Sequence, residues 1–236
     1  MKLDYHESRE LGWGNILIHL SDFLFRANER GETPYVGQAF KHIDHEIFPI
    51  KEEPDEDMYT ADIFINPVTM RNVHSLMRTF VKPPPFDVKK YSVGLHIRRG
   101  AYGSDSQHLL GQNVGEGTFY CDDKMLSFFI DIIQKCTGSV FLASDSIELK
   151  RKLIAQFPDK LETHDMADIV HVDGATTDGA DSIFRDWYTL SACDAVFCTA
   201  GDENMRGFST FGYTAAVYGG ATTFFVSTSG VIQVSA

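Results

Sequence analysis

The chain of 236 residues carries 21 Lys and Arg against 33 Asp and Glu, a net charge of −12, with 43% hydrophobic residues. These proportions are those of a soluble globular protein with one large domain or two small ones. The acidic balance excludes a nucleic-acid scaffold, whose partner demands a basic surface, but leaves room for one focused anion site.

The first residues, Met1-Lys2-Leu3-Asp4-Tyr5-His6-Glu7, lack the apolar core of a signal peptide, and no stretch reaches the length of a membrane span. Leu11-Gly12-Trp13-Gly14-Asn15 reads as a glycine-rich turn, a tight connection or a ligand-facing loop built around Gly14 and Asn15. Ile16, His19, Leu20, Phe23, Leu24 and Ala27 then recur at helical spacing up to Glu29. Residues 51–58 form an acidic, Pro-containing loop of solvated charges, in which Asp55 and Asp57 have a spacing that also suits a divalent cation. Leu76 to Val81 closes a helix, and Lys82-Pro83-Pro84-Pro85 is a stiff connector, which sets a domain boundary between 1–85 and 86–236.

Beyond the boundary, strands and helices alternate. Strands are expected at 92–97, 140–143, 169–172, 195–198 and 221–226, and helices at about 119–136, 147–156, 181–193 and 209–218. This order implies an α/β fold with a parallel sheet and right-handed crossovers. Cys121, Cys136, Cys193 and Cys198 have no C-x-x-C spacing and read as reduced thiols of a cytoplasmic protein without structural zinc.

Polar residues gather at the expected strand ends. Val93 to Ile97 runs into Arg98-Arg99-Gly100, and paired guanidiniums there either close the strand against surface carboxylates or grip a diphosphate. His96 is placed to meet a ribose hydroxyl or to be satisfied within the strand end. Ser144 and Asp145 end the next strand. Ser209 or Thr210, followed by Phe211, would cap a helix whose free N–H groups suit a plain cap or a pyrophosphate. Asp186 has a carboxylate able to accept from the N1–H and amine of a guanine, or to complement its helix dipole. In a parallel sheet the carboxyl ends of the strands share one edge, where ligands bind.

His96-Ile97-Arg98-Arg99-Gly100-Ala101-Tyr102 resembles the H-x-R-R-x-D signature of the fucosyltransferase superfamily. The glycine-rich turn at 11–15, Phe141 to Ser146, Asp186 to Asp194 and Ser209-Thr210-Phe211 are similar to further motifs of that superfamily, in the same order. The resemblance implies a GT-B-like fold of two Rossmann-like domains, the N-terminal one a reduced acceptor side and the C-terminal one binding a nucleotide sugar. It implies inverting, metal-independent transfer, most often from GDP-fucose to a glycan hydroxyl, with no cofactor beyond the donor. By carry-over, Arg98 would clamp the β-phosphate, His96 would contact ribose, Asp186 would read guanine, and Ser209 and Thr210 would hold the pyrophosphate. The acidic position of the signature is Ala101 here. Asp105 is the nearest carboxylate and the nominated general base, with Arg98 stabilising the leaving group. Three alternatives stay open: another GDP- or UDP-linked hexose or pentose donor, an inactive nucleotide- or glycan-binding module, and a metal-dependent enzyme using Asp55 and Asp57.

Overall fold

The computed structural model describes residues 2–3, 12–37, 39–40, 42–51, 69–99, 121–164, 181–201 and 207–234. The chain forms two compact units, one within Met1–Asp87 and one built from Val88–Val170 and Asp181–Ala236.

In the first unit a two-residue strand β1 (Lys2–Leu3) pairs in parallel with β2 (Tyr35–Val36). The long helix α1 (Trp13–Arg30) buries Ile16, Leu17, Leu20, Phe23, Leu24 and Ala27, the stripe that its spacing predicts. Phe23 stacks on Phe48, whose ring meets Phe80 edge-on with centroids 5.0 Å apart. The helix expected before Val81 is two single turns, α2 (Arg71–His74) and α3 (Met77–Phe80). A second correction concerns the glycine-rich turn: α1 already begins at Trp13, so Gly14 and Asn15 lie in its first turn and not in a loop.

The second unit holds the main sheet, assembled from β3 (Val93–Ile97), β4 (Val140–Ser144), β5 (Leu161–Glu162), β6 (Ala195–Thr199), β7 (Thr222–Ser227) and β8 (Gly230–Val234). Their spatial order is β5-β4-β3-β6-β7-β8. The first five run parallel and β8 returns antiparallel to β7. This is the strand order of a nucleotide-binding doubly wound sheet, in which the chain leaves the middle first toward one edge and then toward the other. The sheet is therefore mixed where a parallel one is expected. Thr228 and Ser229 fold the chain straight back, and a five-residue strand after so short a turn leaves little pattern to read. The expectation of a Rossmann-like sheet in both halves is met in the second only; among the described residues of the first unit the sheet is the β1–β2 pair. The strand expected at 169–172 lies outside the described residues.

Strand alternation sorts the two faces. Leu95, Ile97, Val140 and Leu142 enter one core with Met125, Leu126, Phe129 and Ile133 of α4 (Asp123–Lys135) and Leu149 and Leu153 of α5 (Ile147–Gln156). Asp122 caps α4 by accepting from the Met125 N–H at 2.7 Å, and Lys160 donates to the carbonyls of Ile133, Gln134 and Cys136 at its far end. The alternate residues face α6 (Asp181–Ser191) and α7 (Thr210–Gly219). Trp187 Nε1 donates to Thr214 Oγ1 across these two helices. They meet closely enough that a Cβ on Gly219 would lie 1.7 Å from the Ser191 carbonyl oxygen.

That contact is backbone against Cβ and cannot be relieved by a rotamer change. Gly219→Ala is expected to destabilise the protein by about 2–3 kcal/mol in urea unfolding followed by circular dichroism, as overpacking does elsewhere; an unchanged midpoint would refute this packing.

Candidate functional site

The sheet order reverses between β3 and β6, and the carboxyl ends of those two strands are where such a fold leaves a crevice. His96 and Arg98 stand at the end of β3, and Thr199 at the end of β6. The Thr199 hydroxyl joins the two strands, accepting from the Arg98 N–H at 3.0 Å and donating to the His96 carbonyl at 3.2 Å. The Ser209 N–H donates to the Thr199 carbonyl at 2.8 Å, which sets the start of α7 beside the same strand ends. Gly212 makes the approach possible: a Cβ there would lie 2.7 Å from both Cys198 Sγ and His96 Cβ.

His96 is buried and hydrogen-bonded through Nδ1 to Ser209 Oγ, with its ring 5.0 Å from that of Phe211. The Ser209 oxygen is also the helix cap and accepts from the Gly212 N–H. When its own proton goes to Nδ1, the neutral imidazole carries its hydrogen on Nε2. Burial first, then the neighbouring Arg98 and Lys150 charges, push the His96 pKa down to about 3. Among the described residues Nε2 has no hydrogen-bond partner, and neither do the backbone N–H groups of Thr210 and Phe211 in the first turn of α7. Three neutral donors and a guanidinium thus collect at the switch point, an arrangement suited to phosphate and hydroxyl oxygens.

The remaining sequence-predicted residues divide. Arg99 is fastened to the protein: Nη1 donates to the Cys121 carbonyl at 2.7 Å, Nη2 pairs with Asp123 at 3.0 Å, and its N–H reaches Asp145 Oδ1 at 2.6 Å. Ser144 donates to the Ile97 carbonyl at 2.7 Å. Arg99, Ser144 and Asp145 thus hold the two residues that follow β3 in place. The Cys121 N–H donates to the Arg98 carbonyl at 2.7 Å. Asp186 lies further along the edge, its carboxylate between His164 Nδ1 at 3.0 Å and Lys150 Nζ at 3.5 Å. Gly14 and Asn15 belong to the first unit. Asp105, Ala101, Asp55 and Asp57 lie outside the described residues.

Sequence reasoning does not single out Thr199, Lys150 or His164. Lys150 had a readable signal: Ser146, Leu149, Lys150 and Leu153 follow i, i+3, i+4, i+7, so the lysine stands on the buried stripe of α5. Three of the four cysteines are buried thiols poorly suited to nucleophilic chemistry. Burial pushes the Cys121 and Cys193 thiols up to about 12 and the Cys198 thiol higher still. Among the described residues there is no cluster of three or more His, Cys, Asp or Glu able to hold a metal ion, and no helix long and apolar enough to cross a membrane.

No protein-family model matches the chain and no curated protein matches it. Solved structures do. The chain is similar to NodZ α-1,6-fucosyltransferase soaked with GDP-fucose, at 14% identity and a TM-score of 0.55 over 99% of this chain and 98% of that one. It is similar to the same enzyme co-crystallised with GDP, at 14% identity and 0.54 over 99% and 97%. A further match is fucosyltransferase NodZ from Bradyrhizobium, at 14% identity and 0.54 over 95% and 94%. The chain therefore has an α/β fold related to that of these fucosyltransferases.

The depressed His96 pKa has a thermodynamic consequence. The unfolded histidine takes up a proton near pH 6.5, whereas the folded one resists until about 3. The unfolded state binds more protons in that window, so His96 contributes stability that is complete above about pH 6.5 and lost as the pH falls toward 3. Urea midpoints measured from pH 7 to 4 are expected to fall less steeply for His96→Asn than for the wild type, by up to one proton. Parallel curves would contradict the buried neutral state.

Proposed function

We propose that the chain is a glycosyltransferase that uses the β3–β6 switch point to bind the diphosphate of a nucleotide sugar, GDP-fucose being the favoured donor. The observation that carries this reading is the convergence at that point of Arg98, His96 and the Thr210 and Phe211 amides, which have no partner among the described residues, in a fold related to a GDP-fucose-soaked fucosyltransferase. Breaking the sugar–phosphate bond leaves negative charge on the departing diphosphate. Arg98 and the positive end of α7 would stabilise it, a fixed array that costs no reorganisation as the charge develops. These groups would do the work of a divalent metal, and transfer is metal-independent in this proposal. The Nε2–H of His96, fixed by Ser209, would donate to a ribose or phosphate oxygen. Ser209 thus acts through His96 and the cap, while Thr210 and Phe211 would supply the amides that touch phosphate. Attack from the face opposite the leaving group gives inversion, with a carboxylate taking the proton of the acceptor glycan hydroxyl; Asp105 is the nominee.

The related fold says less about the sugar than about the nucleotide, so a second donor class, another GDP- or UDP-linked sugar, fits the same clamp. One titration panel of GDP, UDP and ADP separates these readings. Arg98→Ala removes a charge-assisted hydrogen bond and is expected to weaken GDP binding at least about 30-fold in calorimetry, while the melting temperature stays within a few degrees. Unchanged GDP affinity would remove the clamp.

Ser209→Ala separates the indirect role from the direct one. It is expected to cost about 1–2 kcal/mol of stability by removing the helix cap. It also frees the imidazole tautomer, so transfer should fall while the affinity for inorganic pyrophosphate changes less than in Arg98→Ala. Equal weakening of pyrophosphate binding in the two variants would place the hydroxyl on the phosphate itself.

A further inference from the structure

Lys150 presents an anomaly. Its side chain is 6% exposed, on the buried stripe of α5, and its partner among the described residues is one Asp186 oxygen at 3.5 Å. No hydrogen bond within the described residues takes up its three N–H donors. A buried ammonium is costly, and a single loose carboxylate offsets that cost poorly unless further acceptors arrive. Asp186 itself is 15% exposed and well fixed: the His164 Nδ1–H donates to Oδ1 at 3.0 Å, and the His164 ring lies against Phe141 with centroids 4.8 Å apart. The cluster lies beside the switch point, since α5 begins just after β4, whose Ser144 pairs with Ile97 at the end of β3.

Ammonium and carboxylate neutralise each other, so a ligand here has no net charge on the part that enters. What the pair offers is a donor beside an acceptor, at a spacing suited to two parallel hydrogen bonds to neighbouring atoms of one planar edge. Such an edge carries a carbonyl oxygen next to an N–H. Guanine has this edge in its 6-oxygen and N1–H, and its 2-amino group adds a second donor for the carboxylate. Uracil matches the first two atoms but then sets a carbonyl oxygen against Asp186. Adenine reverses the pattern, with an amine facing Lys150 and a bare ring nitrogen facing the carboxylate.

We infer that Lys150 is a specificity-determining residue that donates to the 6-oxygen of a guanine base, while His164 positions Asp186 beside it. The inference rests on the nucleoside-diphosphate reading above and deepens it, because it places a base donor on α5, where none of the sequence motifs lies. The chemistry is recognition alone, with no bond made or broken.

The test is calorimetric titration of the full chain with GDP, with 6-thioguanosine diphosphate and with inorganic pyrophosphate. The thio analogue keeps N1–H and the 2-amino group but replaces the 6-oxygen with a poor acceptor. The wild type is expected to bind GDP about 10- to 100-fold more tightly than the thio analogue, the range for a hydrogen bond to a charged donor. Lys150→Met should bring the two nucleotides to within about 3-fold while leaving pyrophosphate affinity as it was. Should Lys150→Met not fold, Lys150→Gln, uncharged and one atom shorter, takes its place and should also lose most of the preference. Equal binding of both nucleotides by the wild type, or a preference intact in a folded Lys150 variant, overturns the assignment while the nucleotide site stands. Failure of the wild type to bind GDP or pyrophosphate at all overturns both.

Discussion

The Ser209–His96 hydrogen bond is the interaction on which the site depends. It ties the first turn of α7 to the end of β3, two elements 113 residues apart in the chain. One hydroxyl serves two ends at once, capping the helix by accepting from Gly212 and holding the imidazole through its bond with Nδ1. Gly212 admits this approach, because any side chain there would meet His96 and Cys198. The placement of the helix start, and with it of the Thr210 and Phe211 amides, follows from this one short-range geometry. The buried environment that keeps His96 neutral means that the proposed anion site combines a guanidinium with uncharged groups.

Charge is apportioned sparingly along this edge. In a chain of net charge −12, three cations among the described residues stand at or beside the ends of the central strands. Arg99 is consumed by the scaffold, held by the Cys121 carbonyl and Asp123. Lys150 is neutralised by Asp186. Arg98, half-buried and close enough to depress the His96 pKa, is the cation that the proposed mechanism uses. Adjacent arginines in a sequence thus differ in their contacts: the Arg99 side chain braces Cys121 and Asp123, while the Arg98 charge acts on His96.

Much of this was legible in the residues. The alternation of apolar runs and helical stripes marked β3, β4, β6, β7 and the four helices of the second unit, with ends within a few residues of those observed. Buried strands of five or six residues bounded by polar groups are a strong local signal. What escaped was decided by tertiary contacts. The two residues of β5 are too few to show a period, and β8 is an edge strand whose residues alternate about a turn of two. Gly14 and Asn15 look like loop residues by composition, yet α1 captures them because Trp13 and Leu17 are buried at either end of that turn. Arg98 and Arg99 are indistinguishable by type. The position of Asp123, at the start of α4, is what pairs with Arg99. Lys150 was hidden for the opposite reason: a charged residue on an apolar stripe looks like noise until its counter-ion, 36 positions later, is brought to it by the fold.

The Cys121 N–H bonded to the Arg98 carbonyl has a consequence for how such a molecule diversifies. The end of β3 and the start of α4 are held together by this bond and by the Arg99 contacts with Cys121 and Asp123, so by connectivity the chain between them closes a ring. Lengthening a ring of this kind is thermodynamically mild, on the order of 0.6 kcal/mol for a doubling, because its ends are already together. A change in the number of residues between these anchors would leave undisturbed the strand that carries the arginine.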